Sequence, residues 1–306
     1  MTRIIIVGAS GVIGSVLHQE ARTARVPAIG TALSRVRYGL VPFDMRTASL
    51  RTVVPDLNAD DVVVLLAGYI APAWIYANQE AAWLLNLHAS KNLVDDADDA
   101  GARVVFLSTD QVFDGKAGDC SEDTARRPLN VYGALKAAVE SHVLCTPRGV
   151  VARTGWNVGW VQGQHCPVAQ CYETLLKPNA RMAVDNIFNV SDVNDTARGL
   201  LEIATKPVTR RIYHLVSQPA VSRAELAQMV KEQSLLGARM AFEPVPFSEI
   251  VYSEPRPLRA SLKPTGGMAT KFTPSIDVIA YKVARIDRWR FRQSFGGRVA
   301  ERLPVN

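Results

Sequence analysis

No apolar run in the 306-residue chain approaches the ~18 residues that a membrane-spanning helix needs. Met1-Thr2-Arg3 leads straight into a short β-branched stretch, without the charged and apolar regions of a secretory signal. A cytoplasmic location, away from the membrane, is expected. Cysteine is scarce: Cys120, Cys145, Cys166 and Cys171 do not make a disulfide framework in a chain of this length, so reduced thiols are expected. His165, Cys166 and Cys171 lack the second pair that would complete a tetrahedral metal set, and no metal site is expected. Internal repeats and low-complexity segments are missing as well. Positive charge is in excess only at the end of the chain. Residues 282–306 carry seven basic and two acidic residues, a net +5 of the overall +6, which leaves +1 for residues 1–281. The charge describes a tail, and a nucleic-acid partner is not expected.

The composition, 48% hydrophobic and 21% charged, is that of an ordinary globular protein. The length suits one large or two small domains. Residues 3–7, Arg-Ile-Ile-Ile-Val, read as a buried strand that ends in Gly8-Ala-Ser-Gly11-Val-Ile-Gly14. Glycines between a strand and a helix allow a tight turn and let the backbone approach a pyrophosphate, which then rests on the helix N-terminus. Gly8, Ser10, Gly11, Val12, Ile13 and Gly14 are the candidate contacts. A second strand is expected near residues 27–31. An NAD-specific site places a carboxylate about 20 residues beyond the glycines, yet residues 28–43 contain no Asp or Glu. Ser34, Arg35 and Arg37 could instead receive a 2′-phosphate, so NADP(H) is expected ahead of NAD(H). A third strand at residues 61–66 closes with Ala67 and Gly68, small enough for a cofactor to lie close. In the helix that follows, Trp83, Leu84, Leu87 and Leu93 suit an apolar stripe.

Residues 107–140 hold the candidate chemistry. The apolar run 104–107 reads as a buried strand that delivers Ser108, Thr109 and Asp110 at its end, where doubly wound sheets bind their ligands. Tyr132 and Lys136 are four apart on a helix expected to begin near Asn130, one turn from each other on one face. A cation beside a phenol favours the phenolate, which would bring Tyr132 nearer to neutral pH as a proton donor or acceptor. The expected fold class is α/β, a Rossmann-type doubly wound parallel sheet with a smaller carboxyl-terminal lobe.

The run Ser108-Thr-Asp-Gln-Val-Phe-Asp-Gly115 followed by Pro128-Leu-Asn-Val-Tyr-Gly-Ala-Leu-Lys136 resembles the extended short-chain dehydrogenase/reductases, most closely their dTDP-4-dehydrorhamnose reductase branch. The G-x-x-G-x-x-G spacing of the first turn is the one these reductases use. The resemblance covers about residues 3–263. It implies Thr109 as the catalytic hydroxyl, Tyr132 as acid/base, and Lys136 as the holder of the nicotinamide ribose. It implies Asn86 as a helper of the lysine, although a helix asparagine bonding to backbone is an equal alternative. Asp44 and Met45 match a segment near the adenine. Asp110, Trp156 and Arg256 fall where the family holds its substrate, the arginine toward a nucleotide phosphate. Gln111 stands where the family has Tyr; the related 4,6-dehydratases carry Asp-Glu after the threonine, and Asp110-Gln111 lacks that base. Leu65 and Tyr69 also depart from the pattern. Ser15-Val16 replaces an early carboxylate that some members use for a divalent cation, so no metal is transferred.

A nucleotide-sugar substrate follows from the resemblance, with reduction of a 4-keto-6-deoxy sugar as the expected reaction. A nucleotide-sugar epimerase or epimerase-reductase and a non-catalytic NADP-binding regulatory subunit are the alternatives. The family organisation places the cofactor domain at residues 1–153, with a return at about 186–212. Residues 154–306 mainly form the substrate lobe, and a homodimer is allowed. Arg288-Trp-Arg-Phe-Arg292, on a strand, would put two rings on one face and three guanidiniums on the other; an edge element or subunit contact is expected there.

Overall fold

The β-branched runs build the sheet that positions everything else. In β1 (Arg3–Val7), Ile5 and Val7 enter the core on one face and Ile4 and Ile6 the core on the other. Strands β4 (Asp61–Leu65) and β5 (Arg103–Thr109) alternate the same way, with Val63, Leu65, Val104 and Phe106 on the first face and Val62, Val64, Val105 and Leu107 on the second. Burial on both faces is what a continuous apolar strand requires, and it is met in parallel sheets covered by helices. The computed structural model describes residues 2–33, 39–159 and 166–295.

Between and after these strands come α1 (Val12–Thr23), β2 (Ala28–Ala32) and β3 (Leu40–Pro42), then α2 (Pro72–Ala77), α3 (Gln79–Ala82), a π-helical turn Trp83–Ala89 and α4 (Ser90–Asp99). Helix α5 (Val131–Cys145) leads to β6 (Val150–Thr154). With β11 (Ile212–His214) these strands form a seven-stranded sheet in the order β11-β6-β5-β4-β1-β2-β3, every pair parallel. The order reverses between β1 and β4, the switch point at whose carboxyl edge doubly wound sheets bind their ligands.

Beyond β6 come β7 (Trp156–Val158), α6 (Pro167–Leu175), β8 (Arg181–Ala183), β9 (Ile187–Phe188) and β10 (Val190–Asp192). Helix α7 (Val193–Thr205) returns to cover the sheet with α1, and β12 (Val221–Ser222), α8 (Arg223–Gln233), β13 (Glu243–Val245) and α9 (Ser275–Phe295) follow. A separate core of Val168, Tyr172, Leu175, Leu226, Val230, Val278, Ile279 and Val283 joins α6, α8 and α9.

Two local expectations change. Leu87 and Leu93 are buried, but Trp83 and Leu84 are about half exposed and Leu85 and Asn86 turn inward instead. The wider π turn rotates the helix face relative to a 3.6-residue period. The Arg288–Arg292 run is helical, not extended: it continues α9, whose Val278, Ile279, Val283 and Ile286 are buried at helical spacing. Trp289 and Phe291 lie exposed on that helix.

Candidate active site

At the end of β1 the chain turns through Gly8, whose φ of +97° lies where side chains are rarely tolerated, and a Cβ there would come 2.8 Å from the Ala67 nitrogen. A Cβ on Gly14 would come 2.3 Å from the Gly8 oxygen. The two glycines therefore let β1, α1 and the end of β4 close on one another. Helix α1 starts with Gly11 as its cap and has no side chain bonded to its first amides. Such an uncapped N-terminus behind a glycine cradle fits a dinucleotide pyrophosphate. Ile13 packs toward the core, and Val12 lies where a Cβ on Gly159 would meet it. Ala67 and Gly68 border the same cradle.

The other nucleotide candidates are placed differently. Ser34 and Arg35, with Arg37, lie outside the described residues. The Asp44 carboxylate accepts from Arg46 Nε at 2.8 Å and pairs with its Nη2 at 2.7 Å, a contact that lowers its pKa. Met45 is buried in the core with Phe43 and Leu50.

Thr109 ends β5 and caps the short turn Asp110–Val112; its Oγ1 accepts from the Gln111 amide at 3.3 Å and donates to Asp110 Oδ1 at 2.9 Å. Asn130 caps α5 through Oδ1 to the Gly133 amide at 2.9 Å, while its Nδ2 donates to Gln111 Oε1 at 2.9 Å and to the Pro255 oxygen at 3.0 Å. Gly133 permits the approach: a Cβ there would lie 2.1 Å from the Gln111 oxygen. Thus α5 is pressed against the turn that carries Thr109 and Asp110, and Tyr132 is buried between them. Gln111, Asn130 and Gly133 were not singled out as site residues; the P-L-N-V-Y-G run that contains two of them was the available signal.

The electrostatics correct one expectation. Tyr132 is raised, not lowered: burial is the main cause, the Asp110 charge adds to it, and a hydrogen bond with Thr109 opposes both. Lys136 is also buried and donates through Nζ to the Leu107 oxygen at 2.9 Å, 4.5 Å from the centre of the Phe106 ring. Burial pulls its pKa down to about 8, with Glu140 opposing. Asp110 is pushed up to about 7 by burial, against its bonds from Thr109 and backbone. Asn86, in the π turn, donates to the Tyr69 oxygen and accepts from the Tyr69 amide, both at 2.8 Å. Its amide thus clamps backbone 17 residues away, in the loop after β4.

Across from this turn, Asp110 and Gln111 share a pocket with Trp156, Asn186, Phe188, Arg223 and Arg256. Trp156 stacks on Phe188 with ring centres 4.1 Å apart, so part of its surface packs within the protein while the rest lines the pocket. Arg256 points into a pair with Glu254. Arg223 was missed in the sequence. Its guanidinium lies 4.6 Å from the Trp156 ring centre, and its Nε donates to Asn186 Oδ1 at 2.6 Å.

The sequence model of the family described as "RmlD substrate binding domain" matches residues 1–277. A Mycobacterium tuberculosis dTDP-4-dehydrorhamnose reductase is 29% identical over 241 residues, 76% of this chain and 75% of that protein. Methionine adenosyltransferase 2 subunit beta of Xenopus tropicalis is 31% identical over 148 residues, 48% of this chain and 44% of that protein, so the match spans less than half of that relative. The Xenopus laevis subunit is 27% identical over 234 residues, 74% of this chain and 70% of that protein. Among solved structures, Bacillus anthracis dTDP-4-dehydrorhamnose reductase in complex with NADP superposes with a TM-score of 0.77 at 20% identity, covering 93% of this chain and 99% of that one. Thermus thermophilus UDP-glucose 4-epimerase complexed with NAD has a TM-score of 0.74 at 21% identity, covering 92% and 98%. The fold is thus shared by reductases and epimerases, and the chain belongs to the RmlD substrate binding domain family of extended short-chain dehydrogenase/reductases.

Proposed function

We propose that the chain is an NAD(P)-dependent oxidoreductase that reduces the keto group of a nucleotide-activated 4-keto-6-deoxy sugar, using NADP(H) ahead of NAD(H). Residues 1–153, with the return at about 186–212, would hold the cofactor, and residues 154–306 would mainly hold the substrate. One observation carries the assignment. The Gly8–Gly14 cradle at the end of β1 and the Thr109–Tyr132 pair at the end of β5 open on the same carboxyl edge of the sheet, two strand spacings or roughly 10 Å apart. That is within reach of the nicotinamide half of a dinucleotide whose pyrophosphate rests on the cradle at the switch point and whose nicotinamide lies at the tyrosine.

When bound, the reduced nicotinamide supplies the hydride. The chain's own groups manage the proton. Tyr132, held as the neutral phenol by burial and by Asp110, gives its proton to the carbonyl oxygen, and the Thr109 hydroxyl, rotated away from its bond to Asp110 Oδ1, donates to that oxygen and orients it. The Lys136 ammonium next to Leu107 and Phe106 supports the tyrosine side of the site. The reductase relative and the NADP-bound and NAD-bound neighbours support the cofactor class. The matches to methionine adenosyltransferase subunits favour a second reading, a regulatory subunit that binds the cofactor without turning it over.

Purified protein mixed with NADPH and dTDP-4-keto-6-deoxyhexose separates the two when the absorbance of the reduced cofactor is followed. Stoichiometric oxidation by the native chain, lowered about 10²- to 10⁴-fold in Tyr132→Phe, establishes the reductase. Cofactor binding with no oxidation of NADPH by any keto-sugar defeats it and leaves the regulatory role. Interconversion of sugars without net consumption of cofactor identifies an epimerase.

A further inference from the structure

The pocket beside Asp110 contains two arginines, and they differ in whether their charge is already matched. Arg256 donates through Nε to Glu254 Oε1 at 2.6 Å and pairs with the same oxygen through Nη2 at 2.5 Å; Glu254 itself is buried. Its ring neighbour, Tyr252, lies 4.2 Å from the guanidinium. A cation so held has its charge balanced within its own loop, two residues away.

Arg223 has no carboxylate partner among the described residues. Its Nε is fixed by Asn186 Oδ1 at 2.6 Å, and Asn186 is in turn fixed by donating to the Pro257 and Leu258 oxygens at 3.1 and 2.9 Å. The guanidinium plane is carried over Trp156 and Phe188, at 4.6 and 5.5 Å from their ring centres. The nearest acid in the chain, Glu225, is turned back to close a capping box with Ser222, accepting from the Ser222 amide at 2.6 Å while Ser222 Oγ accepts from the Glu225 amide at 3.1 Å. Burial lowers the pKa of Arg223 from its ordinary value, yet guanidinium stays charged throughout the physiological range. An oriented, partly buried cation unmatched by an anion among the described residues favours an anionic ligand, and its Nη edge suits a phosphate or diphosphate.

We propose that Arg223, and not the ion-paired Arg256, is the cation that takes the diphosphate of the substrate's nucleotide, and that it restricts the site to substrates carrying that group. This rests on the nucleotide-sugar assignment above. Arg223 is then a binding and specificity residue: it acts on capture of substrate and leaves the proton and hydride steps to the groups around Tyr132.

The test compares Arg223→Gln with Arg256→Gln in the full-length protein. Calorimetric titration with dTDP, UDP and GDP, and with thymidine as a probe lacking phosphate, is run beside NADPH binding as a check on the fold. Arg223→Gln is expected to weaken the best-bound nucleoside diphosphate by about 10- to 100-fold, and Arg256→Gln by less than about 5-fold. Thymidine and NADPH binding should be unchanged in both. A larger loss in Arg256→Gln than in Arg223→Gln overturns the proposal, as does failure of the native protein to bind any of the three diphosphates. Turnover separates this from the reductase assignment. A native reductase whose KM for dTDP-4-keto-6-deoxyhexose is unmoved by Arg223→Gln defeats the proposal and leaves the activity standing. A protein that binds dTDP through Arg223 and oxidises no NADPH upholds the proposal's binding role and defeats the activity.

Discussion

The Thr109 hydroxyl donates to Asp110 at 2.9 Å, which ties the candidate catalytic hydroxyl to a carboxyl that burial has pushed up to about 7. Tyr132 feels the same carboxyl through its charge. Because the folded-state pKa is above the ordinary carboxylate value of ~4, Asp110 contributes stability that is fully present below about pH 4 and is lost as pH rises through about 7. Asp110→Asn removes that loss and keeps an oxygen to accept from Thr109. Urea unfolding is expected to give equal midpoints for the two proteins near pH 4, and a more stable variant at pH 8 by about 1–4 kcal/mol. Equal stability at pH 8 would show that Asp110 titrates normally.

Gly133 occupies a contact that no side chain can share, since a Cβ would reach 2.1 Å from the Gln111 oxygen. Gly133→Ala must push α5 away from the turn carrying Thr109, and a cost of about 2–4 kcal/mol in thermal or urea unfolding is expected from overpacking. The neighbouring Tyr132 moves with the helix, so turnover should fall more than NADPH binding. Gly267→Ala is the control. That glycine has a φ of +85° but nothing within 4 Å of an added Cβ, so only backbone strain of about 1 kcal/mol is expected.

Strands β1 and β4 were legible because a parallel strand buried on both faces favours a β-branched run such as Ile4-Ile5-Ile6 or Val62-Val63-Val64. The Asn130 start of α5 was legible for a similar local reason, its side chain capping the first turn. What the sequence could not show depends on residues far apart along the chain. Arg223 enters the pocket through Asn186, 37 residues away, and follows an ordinary helix start. The pKa of Tyr132 is set by burial against the Asp110 turn, while the i, i+4 spacing to Lys136 reports only their shared helix face. Helical spacing also misplaced Trp83 and Leu84, because the π turn adds a residue that a 3.6-residue period does not contain. For Arg288–Arg292 the alternation was real, but α9 had already been fixed by the apolar spacing before it.

Beneath the site, Glu140 of α5 and Arg153 of β6 form a buried pair, with Arg153 Nε and Nη2 donating to the two carboxylate oxygens at 3.0 and 2.8 Å. Arg126 adds a third contact at 3.3 Å, and His214 Nε2 lies 3.2 Å from Arg153 Nη1. Burial, and then the Arg153 charge, bring His214 down to about 4. Glu140→Ala leaves a buried guanidinium without its anion, and a loss of about 3–5 kcal/mol in urea unfolding is expected. Glu140→Ala with Arg153→Met should recover a substantial part of that loss, because the uncompensated charge is gone. A double variant no more stable than Glu140→Ala would place the effect in packing.

Asn86 tests how the cofactor side is held. Its amide makes both hydrogen bonds to the Tyr69 backbone, and a Cβ on Gly68 would come within 3.0 Å of its Oδ1. Removing the amide leaves two part-buried backbone groups to find new partners, so Asn86→Ala is expected to cost about 1–3 kcal/mol of stability. The loop after β4 borders the glycine cradle, and loosening it should weaken NADPH binding while leaving the pH dependence of kcat in place. A proton-relay role through Lys136 makes the opposite forecast: unchanged NADPH affinity and a displaced alkaline or acid limb in the kcat profile. Measuring both quantities in Asn86→Ala decides between a clamp on Tyr69 and a link to the lysine.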